Sequence, residues 1–143
     1  MAVELGEKSE RGLAVIAAMR GQKFSDTLRE AATSEKFGSA ITRMALDFSF
    51  ADSWGREGLA RRDRSLVIIG ALIAMRQPLE LKNHIKIGIE NGLTVREIEE
   101  VLIQATSYVG FPCIASATTA TIEALREIGK DPNVQTSEER GLL

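Results

Sequence analysis

Residues 61–90 constrain the fold more tightly than any other stretch of this 143-residue chain. The run from Leu66 to Met75 contains no charge, and Arg61, Arg62, Asp63 and Arg64 lead into it. Such a run fits a buried strand or a buried helix. Its length and the lack of turn signals favour a helix over about 61–76. Pro78 then sits in the first turn of a second helix, about 79–90, which stops at Asn91-Gly92. So tight a joint forces the two into an antiparallel hairpin. Val67, Ile68, Ile69, Leu72 and Ile73 make the first helix apolar nearly all round. It must therefore be surrounded, by its own domain or by a neighbouring subunit. Oligomerisation is expected on that ground alone.

The rest of the chain also reads as helix. One helix is expected from about Ser9 to Arg20, with Gly21 behind it as a cap, and a shorter one from about Ser25 to Ala32. A third is expected over about 35–50, where Phe37, Ile41, Met44, Ala45 and Phe48 recur at helical spacing. The two glycines in Asp52 to Leu59 mark a loop. Thr94 with Glu97 is a capping-box signature opening a helix from Val95 to Tyr108. Gly110-Phe-Pro112 breaks the chain before a final helix to about Ile128. Strand signals are nearly absent. With no repeat and no linker, the sequence reads as one all-α domain of six or seven helices over 1–143, with 130–143 expected to fray.

Several function classes drop out. Hydrophobic residues make up 44% and charged residues 27% of the chain, a globular composition. The net charge is −2 with Lys and Arg dispersed, so no nucleic-acid footprint exists. The Leu66–Met75 run is about half the length a membrane span requires. The acidic N-terminus lacks the apolar core of a secretory signal, and a cytoplasmic location is expected. Cys113 is the sole cysteine, which rules out a CxxC pair or a cysteine-based zinc site within one chain.

Chemistry has few places to reside. His84, the only histidine, follows Glu80 by four residues, so both project on one helix face about 5–6 Å apart at Cβ. The apolar stripe of that helix is Leu81, Ile85, Gly88 and Ile89, which sets the pair at the edge of the core. A histidine so placed suits proton transfer near neutral pH, though a packing histidine beside a surface charge has the same spacing. One histidine and one carboxylate fall short of a metal site, so no metal is expected. Cys113 opens a helix, where a thiolate nucleophile is favoured, or is simply a small buried residue. Arg64, in the cluster with Arg61 and Arg62, could clamp a carboxylate or remain a solvated charge. Trp54 and Tyr108 could line a pocket or the core.

The stretches Gly58-Leu-Ala-Arg-Arg-Asp-Arg-Ser-Leu66, Leu79-Glu-Leu-Lys-Asn-His84, Asn91-Gly-Leu-Thr-Val-Arg-Glu-Ile98 and Tyr108-Val-Gly-Phe-Pro112 carry a further signal. In that order and spacing they resemble the carboxymuconolactone decarboxylase family, over about Trp54 to Leu125. The resemblance implies an all-α, alkylhydroperoxidase-like fold assembled as a homo-oligomer, trimer or hexamer. It implies cofactor-independent decarboxylation of a 4-carboxymuconolactone-type substrate, in the β-ketoadipate pathway of aromatic catabolism. The peroxidase members of the wider superfamily use a CxxC pair, whose positions hold Gln77 and Glu80 here, and a relay glutamate, whose position holds Ser65. Thiol–disulfide chemistry is thereby excluded.

The decarboxylase branch keeps Glu-x-x-x-His, matched by Glu80 and His84. Its Trp-Gly-Glu-x-Trp-like stretch is met by Phe50-Ala-Asp52-Ser-Trp54. An arginine usual just upstream is replaced by Asp47 unless Arg43 serves, and Met75-Arg76-Gln77 stands for Leu-Gly-Arg. By this resemblance His84 is the proton donor or oxyanion partner and Glu80 orients it. Arg64, Trp54, Tyr108 and Asp52 would hold a small carboxylate or lactone. The alternatives are an isomerase or tautomerase of a related diene, or a non-enzymatic ligand-binding member.

Overall fold

A computed structural model describes residues 3–142. The helices are α1 (Glu7–Arg20), α2 (Gln22–Thr33), α3 (Ser39–Met44), a π-helical segment (Ala45–Trp54) continuing α3, α4 (Arg61–Ala74), α5 (Pro78–Glu90), α6 (Val95–Val109) and α7 (Phe111–Glu127). No strand occurs among the described residues. The chain forms two compact units, Met1–Ala60 and Arg61–Leu143.

In the first unit α1 packs on the π segment and on α2. Gly12, lacking a side chain, lets α1 come down onto the backbone of Leu46. Leu13, Ile16, Met19 and Leu46 are each at most 2% exposed. The Ser9 hydroxyl donates to Asp47 at 2.5 Å, and the Lys8 ammonium pairs with Asp52 at 2.5 Å. Ser25 donates to the Leu13 carbonyl at 2.9 Å and ties α2 to α1. Gly21, at φ 88°, caps α1 and starts α2 in one residue, a conformation open to glycine. This is why α2 begins at Gln22, earlier than the expected Ser25.

The third helix departs from the sequence expectation in two ways. It starts at Ser39, and it runs through Asp52 and Ser53 to Trp54, where a loop is expected. Its expected core stripe faces outward as well: Phe37, Ile41, Met44 and Phe48 are all at least 68% exposed. Phe37, Ile41 and Met44 precede the π segment and lie open to solvent, whereas Phe48 falls within it, where the repeat changes. A π turn advances the chain differently from an α turn. Leu46 and Trp54 are the residues buried along it.

In the second unit α4 packs on α5 and α6, and α7 packs on α5 and α6. The core collects Ile69 and Ile73 from α4, Leu81 and Ile85 from α5, Ile98 and Leu102 from α6, and Ala117, Ala124 and Leu125 from α7. Each large aliphatic buried there contributes on the order of 2 kcal/mol. Between α4 and α5 the fully buried Ser65 hydroxyl accepts from the Asn91 side-chain amide at 3.0 Å. The expected capping box is complete. The Glu97 backbone N–H donates to the Thr94 hydroxyl at 3.1 Å, and the Thr94 N–H donates to the Glu97 carboxylate at 2.9 Å. On the surface, Lys86 and Lys82 hydrogen-bond Glu127 and hold its carboxyl down at about 2, from an ordinary 4.5. Residues 130–142 contain no helix, yet Arg126 bonds Glu139 at 2.8 Å and the Val134 carbonyl at 2.7 Å, and Thr136 is 5% exposed.

Arg76, in the α4–α5 joint, adopts φ 56°, the left-handed region. An L-residue there costs about 1–2 kcal/mol, and glycine gives back about 0.5–1 kcal/mol through its freer unfolded chain. Arg76→Gly is therefore expected to raise stability by roughly 0.5–1 kcal/mol. The check is a higher urea midpoint at unchanged slope; a lower midpoint would mean that contacts of the arginine side chain outweigh its backbone strain.

Candidate active site on helix 5

Pro78 starts α5 with φ preset and no N–H to satisfy. Glu80 lies in the first turn, where the helix dipole favours its negative charge. One turn on comes His84. Its side chain is 15% exposed and that of Glu80 is 64% exposed. The imidazole Nε2 stands 4.0 Å from the Glu80 carboxylate, and Nδ1 is buried. That distance is longer than a hydrogen bond, and the two attract as charges only when the imidazole is protonated. A small side-chain rotation at Glu80 would close it. Beneath them α5 is anchored by Leu81, Ile85, Ile87 and Gly88, all buried, so the imidazole sits on a firm base with one edge open. Ile87, three residues after His84, is 0% exposed.

The structure brings Glu80 and His84 together; the other candidates stand on other elements. Arg64 is half-buried in the first turn of α4. Of its neighbours, Arg62 is committed to Glu97 and to Asp63 at 3.1 Å, so it braces the α6 cap. Tyr108 is 83% exposed and lines an open groove between α4 and α6. Trp54, 7% exposed, and Asp52, paired with Lys8, belong to the first unit. Arg43 donates to the Ala32 carbonyl at 2.6 Å, and so finishes the end of α2. The Cys113 thiol is buried and donates to the Ile73 carbonyl at 2.8 Å, serving the last turn of α4.

Three hollows in the second unit have other linings. One of about 110 Å³ includes Arg76, Gln77, Cys113 and Ser116. A second, about 400 Å³, includes Leu79, Lys82, Glu123 and Glu138. The third is the groove of Tyr108, about 690 Å³. None of these three is lined by His84. Among the described residues no group of three or more His, Cys, Asp or Glu is placed to hold a metal ion. No helix among them is long and apolar enough to cross a membrane.

Residues 39–123 match the sequence pattern of the carboxymuconolactone decarboxylase family. The chain belongs to that family. The match spans α3 to most of α7 and contains Glu80 and His84. The chain is 28% identical over 126 residues to a 4-carboxymuconolactone decarboxylase of Acinetobacter baylyi, covering 88% of this chain and 92% of that protein. It is 28% identical over 120 residues to a nitrosuccinic acid decarboxylase of Metarhizium robertsii, covering 83% and 82%. An uncharacterized 15.0 kDa protein of Paracoccus denitrificans is 31% identical over 86 residues, covering 58% of this chain and 63% of that protein. Two relatives of this family member are thus decarboxylases by name.

The π segment is a feature that sequence reasoning missed. Its two buried residues, Leu46 and Trp54, lie outside the expected stripe of Phe37, Ile41, Met44, Ala45 and Phe48.

Proposed function

We propose that this family member is a cofactor-independent decarboxylase of small dicarboxylates that carry their own electron sink, 4-carboxymuconolactone being the first candidate. The observation that carries the reading is the half-sheltered His84 imidazole, one helical turn from the Glu80 carboxylate on a rigid helix. The names of the relatives support the same reaction class. In 4-carboxymuconolactone the bond to the departing carboxylate breaks heterolytically and CO₂ leaves. Its electron pair runs through the conjugated double bond onto the lactone carbonyl oxygen. In nitrosuccinate the nitro group could take the pair as a nitronate. Either way the sink is built into the substrate, and the protein has to orient the acid, stabilise the new anion and deliver one proton to carbon.

In this reading protonated His84 stabilises the developing oxyanion or gives its proton to carbon, and the Glu80 carboxylate one turn away sets a negative charge beside the ring. Both substrates bear a second carboxylate, which stays behind and gives Arg64 something to hold. A clamp on the departing carboxylate would instead stabilise the ground state and slow the loss of CO₂.

The test is release of CO₂ by the purified protein from 4-carboxymuconolactone and, separately, from nitrosuccinate. Turnover of at least one, with one deuterium entering the product in D₂O, is expected. Deuterium exchange without CO₂ would assign a tautomerase in its place, and inertness toward both compounds would sink the proposal.

A further inference from the structure

The smallest of the three hollows in the second unit differs from the other two in its charges. In the hollow of about 400 Å³, Lys82 pairs with Glu123 at 3.3 Å and with Glu127 at 2.9 Å. Thr119 there donates to Glu138 at 2.8 Å. The groove of Tyr108 carries two acids, Glu97 and Glu100. The hollow of about 110 Å³ has no acid in its lining, and its one charged residue is Arg76.

Most of that lining is apolar: Leu72, Ile73, Pro78, Leu81, Pro112 and Ala117. Four residues supply the polar remainder. Cys113 is engaged, its thiol donating to the Ile73 carbonyl. The side chains of Arg76, Gln77 and Ser116 are not, for none of them hydrogen-bonds or pairs among the described residues. All three can donate, and Arg76 is charged at any ordinary pH. Arg76 also holds a left-handed backbone, φ 56°, where glycine would be the less costly residue. The position favours glycine on backbone grounds and carries a guanidinium instead.

The surrounding backbone has the same sign. The carbonyls that end α4 would oppose an anion, but they are occupied. Ala71, Leu72 and Ile73 accept from the N–H groups of Met75, Gln77 and Arg76. The first turns of α5 and α7 border the hollow at Pro78 and Pro112, and neither helix start has a side-chain cap. Their positive ends add to the charge of Arg76.

We infer that this hollow binds a small aliphatic monocarboxylate, at a site distinct from the Glu80–His84 pair, neither of which lines it. Its volume lies below the roughly 300 Å³ at which pockets for drug-sized molecules begin, so the ligand is small. One cation and no second basic residue match one negative charge. A guanidinium accepts a carboxylate through two parallel bonds, with Gln77 and Ser116 free to donate to the same group. The apolar walls then take an alkyl body, which an inorganic oxyanion does not have.

The experiment titrates the full chain with propionate and follows backbone amide NMR. Saturable shifts are expected over residues 72–81 and 112–117, with a Kd on the order of 1–10 mM, the strength open to so small a ligand. Propionamide, of the same shape without the charge, should give none, and inorganic phosphate should bind at least about tenfold more weakly. Arg76→Gln should weaken propionate about tenfold or more at unchanged helical circular dichroism, and Ser116→Ala about threefold. His84→Ala should bind propionate as wild type does, so this site stands or falls apart from the proposed reaction. No saturable shift, shifts centred on His84, an equal response to propionamide or phosphate, or full affinity in both Arg76→Gln and Ser116→Ala would each overturn the inference.

Discussion

His84→Ala is expected to lower kcat by about 10²- to 10⁴-fold on whichever dicarboxylate turns over, the range of a positioned general acid. The loss should fall on kcat more than on KM, because the proton is delivered in the transition state and the carboxylate that stays behind is held elsewhere. The structural ground is specific. The ring stands on α5, which the buried Leu81 and Ile85 anchor, and its side chain is only 15% exposed. Added imidazole should restore part of the activity, since the alanine leaves a ring-sized space beside the substrate. Glu80→Gln should cost less, about tenfold, because it removes the charge beside the ring while leaving the ring in place. A structural role for Glu80 is hard to sustain at 64% side-chain exposure, so retention of full stability in Glu80→Gln is part of the same expectation. If His84→Ala keeps kcat within about threefold of wild type, proton delivery by this imidazole is wrong.

The parts of this fold that could be read from residues are those decided by neighbours in sequence. The α4–α5 hairpin follows from an uncharged run and a proline at position 78, and the α6 start follows from Thr94 and Glu97, whose reciprocal bonds close over three residues. The Glu80–His84 pair is legible for the same reason, being fixed by helix geometry alone. Phe37, Ile41, Met44 and Phe48 show where such reading stops. Their spacing identifies an apolar face, but it says nothing about whether this chain covers that face, and here it does not. Periodicity cannot separate a face made for the core from one made for another molecule. The remaining candidates were settled by pairings across long separations. Lys8 takes Asp52, Ala32 takes Arg43 and Ile73 takes Cys113, none of which has a local signature. Tyr108 has the aromatic character of a pocket residue, yet lies on an open groove with α4.

Gly12 is the clearest case of a long-range decision, and local propensity and tertiary packing predict opposite signs for its replacement. By helix propensity Gly12→Ala should stabilise α1 by up to about 1 kcal/mol. By packing it should do the reverse. The new methyl carbon would lie 2.2 Å from the Leu46 carbonyl oxygen, 2.9 Å from its carbonyl carbon and 3.2 Å from its Cα. These are backbone atoms and cannot rotate aside, so relief requires α1 and the π segment to separate. Separation is resisted by the Ser9–Asp47 hydrogen bond and the Lys8–Asp52 pair, both toward the start of α1. It would also open the layer holding Leu13, Ile16, Leu46 and Trp54. Overpacking of this kind costs about 1–3 kcal/mol, more than the propensity gain, and the rigidity of the clashing atoms puts the expected net loss at about 2 kcal/mol. Trp54 makes the effect readable. It is the only tryptophan, it ends the π segment, and it is 7% exposed, so its fluorescence reports on this unit. Gly12→Ala should shift the urea midpoint of the Trp54 signal downward. Gly12→Ser should shift it at least as far, because its side chain adds a second atom to the same clash. A midpoint that rises in Gly12→Ala would mean that the two backbones do not touch in solution and that α1 is held to the π segment by its side chains alone.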